Sequence, residues 1–371
     1  MSCSGAEMGR SYICVGNGSH MRSYFTFFSE FQRDWGAANA LEASFMLVLS
    51  ILSVFSNSII CHFILKSNTM RTVTNCFVCN LAVADIAFCM SAPLVASVRV
   101  NENWAVGRGV CRLLVYSMNV CGTVMLWTMS AISIDRYMNI NVGVASNRRL
   151  RKWQVVCICV LIWLASAICY LPFAMYFNIK EGTALRNETV TVCTLVWPRD
   201  QHLPVIFISL QFVLCCFIPV TIISLNYIRI LKKYWKAKRA IESFASTNVR
   251  SDTRKESRVR KQQQVVRKLV LIVIVFVVMW SPMFAVIVLV EYDVTKGLNF
   301  IPSSALIWAL IVAYCNSLVN AVIYGSIYVT IWNAFSGCFR RQENNVVAAT
   351  IAVNNNPANP VTSVHPANVK H

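Results

Sequence analysis

Three sets of residues stand out because each breaks or closes a long apolar run. Asp85 lies near the middle of one run, and the amides Asn57, Asn316 and Asn320 sit at comparable depth in two others. An ionisable group surrounded by hydrocarbon is costly and by default functional. Here a hydrogen-bonded structural knot or an ion site would satisfy it. Asp135-Arg136-Tyr137 closes another run, where an arginine either snorkels to headgroups or serves as a switch held by the neighbouring carboxylate. Pro282, two residues after Trp280, removes a backbone hydrogen bond inside a further run. Such a proline kinks a helix and makes a lever that a bound molecule can bias. Nothing resembles a catalytic constellation: of five histidines, four fall outside the runs, so no enzyme is expected.

The elements that position these residues follow from composition. Of 371 residues, 56% are apolar and 13% charged, about half the charge fraction of a soluble chain. A water-facing fold cannot hide that much apolar surface, so lipid is the expected solvent. A helix needs roughly 20 apolar residues to cross the bilayer core. Seven such runs occur, namely Phe45 to Leu65, Cys76 to Val98, Leu113 to Ile134, Val155 to Phe177, Leu203 to Ile228, Leu269 to Val290 and Phe300 to Tyr324, with Asp85 their one charge. Continuous apolar runs satisfy their backbone as helices rather than as alternating barrel strands. The expectation is an all-α membrane protein, a seven-transmembrane helix bundle. A transporter or channel would show paired ionisable groups or a repeat of spans, and neither is seen.

The net charge of +18 would suggest nucleic acid in a soluble protein. Its placement argues otherwise. Arg148, Arg149, Arg151 and Lys152 crowd one loop, and Leu231 to Lys268 holds thirteen Lys or Arg against Glu242, Asp252 and Glu256. Basic loops stay in the cytoplasm, which puts the amino terminus outside, the carboxyl terminus inside, and nucleic acid out of the partner set. The sequons at Asn17 and Asn187 then share the outer side. The first twenty residues lack the apolar core of a cleaved signal. The divisions expected are an outer tail over 1–40, the bundle over 41–326, an amphipathic membrane-surface helix over 327–341 and a disordered cytoplasmic tail over 342–371. Cys338 beside that surface helix is a palmitoylation candidate. Of sixteen cysteines, eleven lie in or beside the runs and behave as small apolar residues. Cys111 opens the third span and Cys193 precedes the fifth, so a bridge between them would tie that loop over the bundle mouth; Cys3 with Cys14 is a second pairing.

Over residues 41 to 340 the chain resembles the rhodopsin-like family of G-protein-coupled receptors. The motifs are Asn57, Leu81-Ala-Val-Ala-Asp85, Cys111 with Cys193, Asp135-Arg136-Tyr137, Trp163, Pro219 and Tyr227, Trp280-Ser-Pro282, and Asn316-Ser-Leu-Val-Asn320 through Tyr324, each in its proper span. The resemblance implies a plasma-membrane receptor that binds an extracellular ligand and activates a heterotrimeric G protein. Arrestin, a receptor kinase and membrane lipids are its further partners. It casts Asp135, Arg136, Tyr137, Tyr227, Asn320 and Tyr324 as the coupling switch, Trp280 and Pro282 as the toggle, and Asp85, Asn57 and Asn316 as the polar core. In the family the acid of span two holds sodium with a small hydroxyl residue eleven positions before the span-three arginine. That position is Met125 here, which counts against sodium, and no cofactor is expected. Ala321 replaces the usual proline of span seven, and Gln262 stands where some members lock the arginine with an acid. A looser resting state with basal activity is expected from both.

Met118 replaces the acid that anchors amines, and span seven has no lysine for retinal. The stretches Ser91-Ala-Pro-Leu-Val-Ala-Ser-Val-Arg99, Val192-Cys-Thr-Leu-Val-Trp197-Pro and Met279-Trp-Ser-Pro282 look like those of long-chain free-fatty-acid receptors. That likeness implies Arg99 as a carboxylate anchor, with Trp104, Met118, Trp197 and Trp280 as further ligand candidates and a peptide as the alternative ligand.

Overall fold

The computed structural model describes residues 10–16, 22–33, 35–68, 70–141, 150–184, 188–198, 202–245 and 253–326. Within them, seven helices are long and apolar enough to cross a membrane: Ala38–Lys66, Val73–Asn101, Gly107–Ile140, Lys152–Cys169, Leu203–Lys233, Val270–Lys296 and Ser303–Ser326. These are spans one to seven. Each overlaps one of the expected apolar runs, since a helix pairs its own backbone polar groups in hydrocarbon; the fourth stops short of its run, at Cys169, where the chain breaks before Pro172 into a short helix over Leu171–Tyr176 and then enters a strand at Phe177. Side chains such as Phe55, Leu161, Ile168 and Val278 are largely exposed and suit a lipid surround.

Prolines break or strain the spans, and neighbouring hydroxyls take up the carbonyls they orphan. Pro93 has no N–H for the carbonyl of Cys89. Span two is interrupted there, between Val73–Cys89 and Ala92–Asn101, and Ser50 of span one donates to that carbonyl at 2.7 Å. Pro282 likewise abandons Val278, whose carbonyl accepts from Ser281 Oγ at 2.9 Å. Span five widens into a π-helical turn over Val213–Phe217, just before Pro219.

At the amino-terminal mouth the chain builds a four-stranded antiparallel sheet that the apolar pattern did not announce. Its strands are β1 (Tyr12–Val15), β2 (Arg22–Phe25), β3 (Phe177–Thr183) and β4 (Thr189–Leu195), in the order β2-β1-β3-β4. Strands β1 and β3 meet through the pairing of Cys14 with Thr183. A Cβ on Gly182 would stand 2.6 Å from the Cys14 carbonyl oxygen, so the approach needs glycine. The expected outer tail is therefore packed structure over much of its length. Tyr12, Ile13, Phe25, Phe28 and Phe31 are buried, and each such side chain contributes about 1.5–3 kcal/mol on leaving water. Tyr12 and Phe25 cluster with Val290, Ile301 and Leu306 of the bundle.

Cys111 and Cys193 are disulfide-bonded, which fastens β4 to the start of span three. Cys14 is also in a disulfide; its expected partner Cys3 lies outside the described residues. The chain divides into two units, Met1–Tyr324 and Gly325–His371. Asn17, Asn187, Cys338, the surface helix over 327–341 and the tail over 342–371 also fall outside the described residues.

Candidate functional site

Beneath the sheet, side chains from spans two, three, five, six and seven, from the segment that follows span four, from the sheet and from the amino-terminal segment line a cavity of roughly 850 Å³, counting its open side. Its wall is almost wholly apolar: Phe27 and Phe28 from the amino-terminal segment, Met118 from span three, and Phe88, Trp280 and Ile287 from the helices around it. Asn119 and Glu291 supply its polar positions. Glu291 escaped the sequence reading because it stands one residue beyond the run that marks span six.

Arg99 does not line this cavity. It is fully buried at 0% exposure, and its fork is occupied by the protein itself. Nε donates to Glu42 at 2.7 Å, Nη2 to Glu30 at 3.1 Å, and Nη1 to Ser303 Oγ at 2.9 Å. Arg33 shares Glu42 at 2.8 Å, so two guanidinium groups meet two carboxylates in a neutral cluster. The Ser304 N–H donates to Glu30, and Ser303 Oγ donates to the Ser29 carbonyl. The carboxylate-anchor expectation is corrected accordingly: Arg99 joins the amino-terminal segment to spans one, two and seven. Trp104 is corrected likewise. It stacks on Phe28 and donates its indole N–H to the Gly107 carbonyl, away from the cavity wall. Trp197 packs between Tyr176 and Phe207, near the Glu291 carboxylate.

A second pin joins the sheet to span six. The Tyr12 hydroxyl donates to Asp293, and burial with that carboxylate beside it holds the phenol far above its ordinary pKa. Asp293 also accepts from the Phe300 and Ile301 N–H groups. Beside the Arg99 cluster, Asn39 donates to Glu102 at 2.7 Å, and burial pushes the Glu102 carboxyl upward despite that bond.

From the cavity floor a polar path runs toward the opposite end. Trp280 donates to Asn316 Oδ1 at 3.3 Å, and the same oxygen accepts from Asn320 at 3.3 Å. Asp85 is fully buried near Ser317 and Asn320, with neither carboxylate oxygen completing a hydrogen bond. Asn57 joins spans one and seven by donating to the Ser317 carbonyl at 3.1 Å. Trp163 donates to Asn80, whose amide donates to Thr128, so spans two, three and four are tied together. The indole of Trp280 also lies against Gly122, where a Cβ would come within 2.8 Å of the ring.

At the far end, the two residues expected to restrain each other do not. Asp135 accepts from Thr74 Oγ1 at 2.5 Å and from Asn139 at 3.1 Å. The described residues offer no ion pair to Arg136, whose buried Nε makes no hydrogen bond. Arg136 instead lies near Tyr227, which is buried in span five, while the guanidinium of Arg229 sits over the Tyr137 ring. Tyr324 is buried at the end of span seven. The chain matches, over residues 56–324, the family model described as 7 transmembrane receptor (rhodopsin family).

The chain belongs to the rhodopsin family of seven-transmembrane receptors. Membership makes it a multi-pass plasma-membrane receptor with an extracellular ligand and a G-protein partner, not an enzyme. It is 28% identical to free fatty acid receptor 4 of Mus musculus over 354 residues, covering 92% of this chain and 94% of that receptor. It is also 28% identical to neuropeptide Y receptor type 2 of Cavia porcellus, over 79% of this chain and 74% of the relative, and to somatostatin receptor type 5 of Rattus norvegicus, over 78% and 75%.

In the receptor's polar core, Asp85, Ser317 and Asn320 present oxygens without completed hydrogen bonds, and Met125 of span three is fully buried.

Proposed function

We propose that this receptor responds to a long-chain lipid with an uncharged polar head, which seats in the apolar cavity and acts through Trp280 on a heterotrimeric G protein. The observation that carries the reading is the cavity wall: apolar nearly throughout, with Asn119 and Glu291 at its polar positions and Arg99 elsewhere. A lipid chain buries well against Met118, Phe88 and Ile287. A free carboxylate would meet the Glu291 acid with no cation beside it, whereas a hydroxyl or amide head can donate to Glu291. The likeness to free fatty acid receptor 4 supports a lipid class. The likeness to peptide receptors keeps a peptide as the competing ligand.

The switch acts at the far end. Displacement of Trp280, in a span weakened by Pro282, is expected to separate the helix ends around Arg136 and expose it to the G protein. The lack of an ion pair to Arg136 among the described residues, with the departures at Ala321 and Gln262, favours measurable activity without ligand. In this reading the amino terminus is outside, the basic loops are cytoplasmic, and arrestin and a receptor kinase act on the cytoplasmic face.

A second-messenger panel across G-protein classes tests this, with fatty alcohols, fatty amides, monoacylglycerols, free fatty acids and a peptide library as challenges. Neutral lipids are expected to be active, and Glu291→Gln to weaken them roughly tenfold, the equivalent of about 1.4 kcal/mol. Responses confined to peptides, or to free fatty acids alone, contradict the reading.

A further inference from the structure

We infer that the receptor takes its ligand from the bilayer, through a side opening between the mouth-side halves of spans five and six that accepts an acyl chain. The inference rests on the lipid reading above for the ligand's class, and on separate geometry for the route.

A second apolar cavity, roughly 1040 Å³ counting its open side, lies between spans three, five and six and the segment that follows span four. Asn119, Phe173, Ile208 and Ile287 border both this cavity and the first, so the two meet along a shared wall. Its outer rim is Phe212 of span five with Val288 and Leu289 of span six, which are 48%, 54% and 50% exposed. These residues lie well inside helices apolar enough to be embedded, so the medium that meets the rim is hydrocarbon. Spans five and six pack together toward the Arg136 end, and the opening occupies the half nearer the sheet.

The rim is kept apolar by how its one amide is spent. Gln211 donates to the Cys169 carbonyl at 2.5 Å and accepts from the Cys215 thiol at 3.0 Å, so both ends of its amide face protein. A passing chain therefore meets no unpaired polar group there. On the water side, Phe27 and Phe28 stand in the wall of the first cavity, and the segment that carries them is tied down by the buried bonds of Glu30 and Glu42 to Arg99. Lifting that segment would part buried charges from their partners, which is costly. Parting apolar side chains at a lipid-facing seam exposes them only to another apolar medium.

The test uses the full chain in phosphatidylcholine nanodiscs containing a monoacylglycerol whose acyl chain bears a diazirine. After irradiation, cross-linked peptides are mapped in wild type, Ala285→Trp and Leu289→Trp. Both substitutions place a large ring at the opening, and either variant that keeps the wild-type melting profile is informative. Labelling of the Phe212 and Val288 region together with the Met118 region is expected in wild type. In the plugged variants, labelling at Met118 is expected to fall at least tenfold at early times. Equal labelling at Met118 in wild type and both variants, or none at the rim in wild type, overturns the route. Receptor activation by the same lipid is scored separately. Cross-links through the opening without activation would sink the lipid-agonist reading and leave the opening standing.

Discussion

Arg99 is the residue whose removal best separates a structural role from a ligand-holding one. Arg99→Ala would leave Glu42 and Glu30 buried without their main cation, at a cost of about 3–5 kcal/mol. The expected readout is a lower melting temperature and less protein at the cell surface with no ligand present, and Arg99→Ala combined with Glu42→Gln should recover part of the loss. An unchanged melt with an abolished lipid response would instead restore Arg99 as an anchor. At Gly122 the expectation concerns signalling. Gly122→Ala presses on the Trp280 ring and should shift basal second-messenger output, whereas Gly109→Ala, with open space around its Cβ, should not. Residues deep in the bundle were legible from sequence because a polar group in an apolar run has few roles open to it: Asp85, Asn57, Asn316 and Trp280 lie where they were expected. The role of Arg99 was not legible, since its partners Glu30, Glu42 and Ser303 come from three distant stretches of chain. Glu291 and Asp293 were passed over because they stand just beyond the end of an apolar run.

Among the elements, the helices follow from the thickness of the bilayer, whereas the mouth sheet could not have been read in advance. Strands β1 and β2 are four residues each, without an alternation long enough to register, and β1 is joined to β3 through a single register pair across more than 160 positions of chain. Their stability comes from tertiary contacts. Tyr12→Phe removes the donor to Asp293 and should cost about 1–3 kcal/mol locally, seen as faster amide exchange in β1 and β2 with exchange around Asp135 unchanged. Uniform acceleration throughout the bundle would show that the pin is not local. Cys111→Ser frees β4 from span three. A loss of about 2–5 kcal/mol is expected, measured as a lower melting temperature and a weaker lipid response at matched surface protein.

For the molecule as a whole, seven apolar runs and ordered motifs were enough to place the chain in its family, and the family model covers residues 56–324. What sequence could not supply was the content of the cavity, because its wall is gathered from five spans, from the sheet and from an amino-terminal segment that reads as a tail. At the opposite end, Asp135 is engaged by Thr74 and Asn139 while Arg136 has no ion-pair partner among the described residues. Unliganded receptor in cells is therefore expected to produce second messenger above the level of Arg136→Ala, and equality of the two would remove the loose resting state from this account. The most direct measurement is nucleotide exchange on a G protein by purified receptor in nanodiscs, titrated with a neutral long-chain lipid, for wild type and for Met118→Trp at equal folded protein. The account expects lipid-stimulated exchange in wild type and its loss when the tryptophan fills the cavity; stimulation of both alike, or of neither, would contradict it.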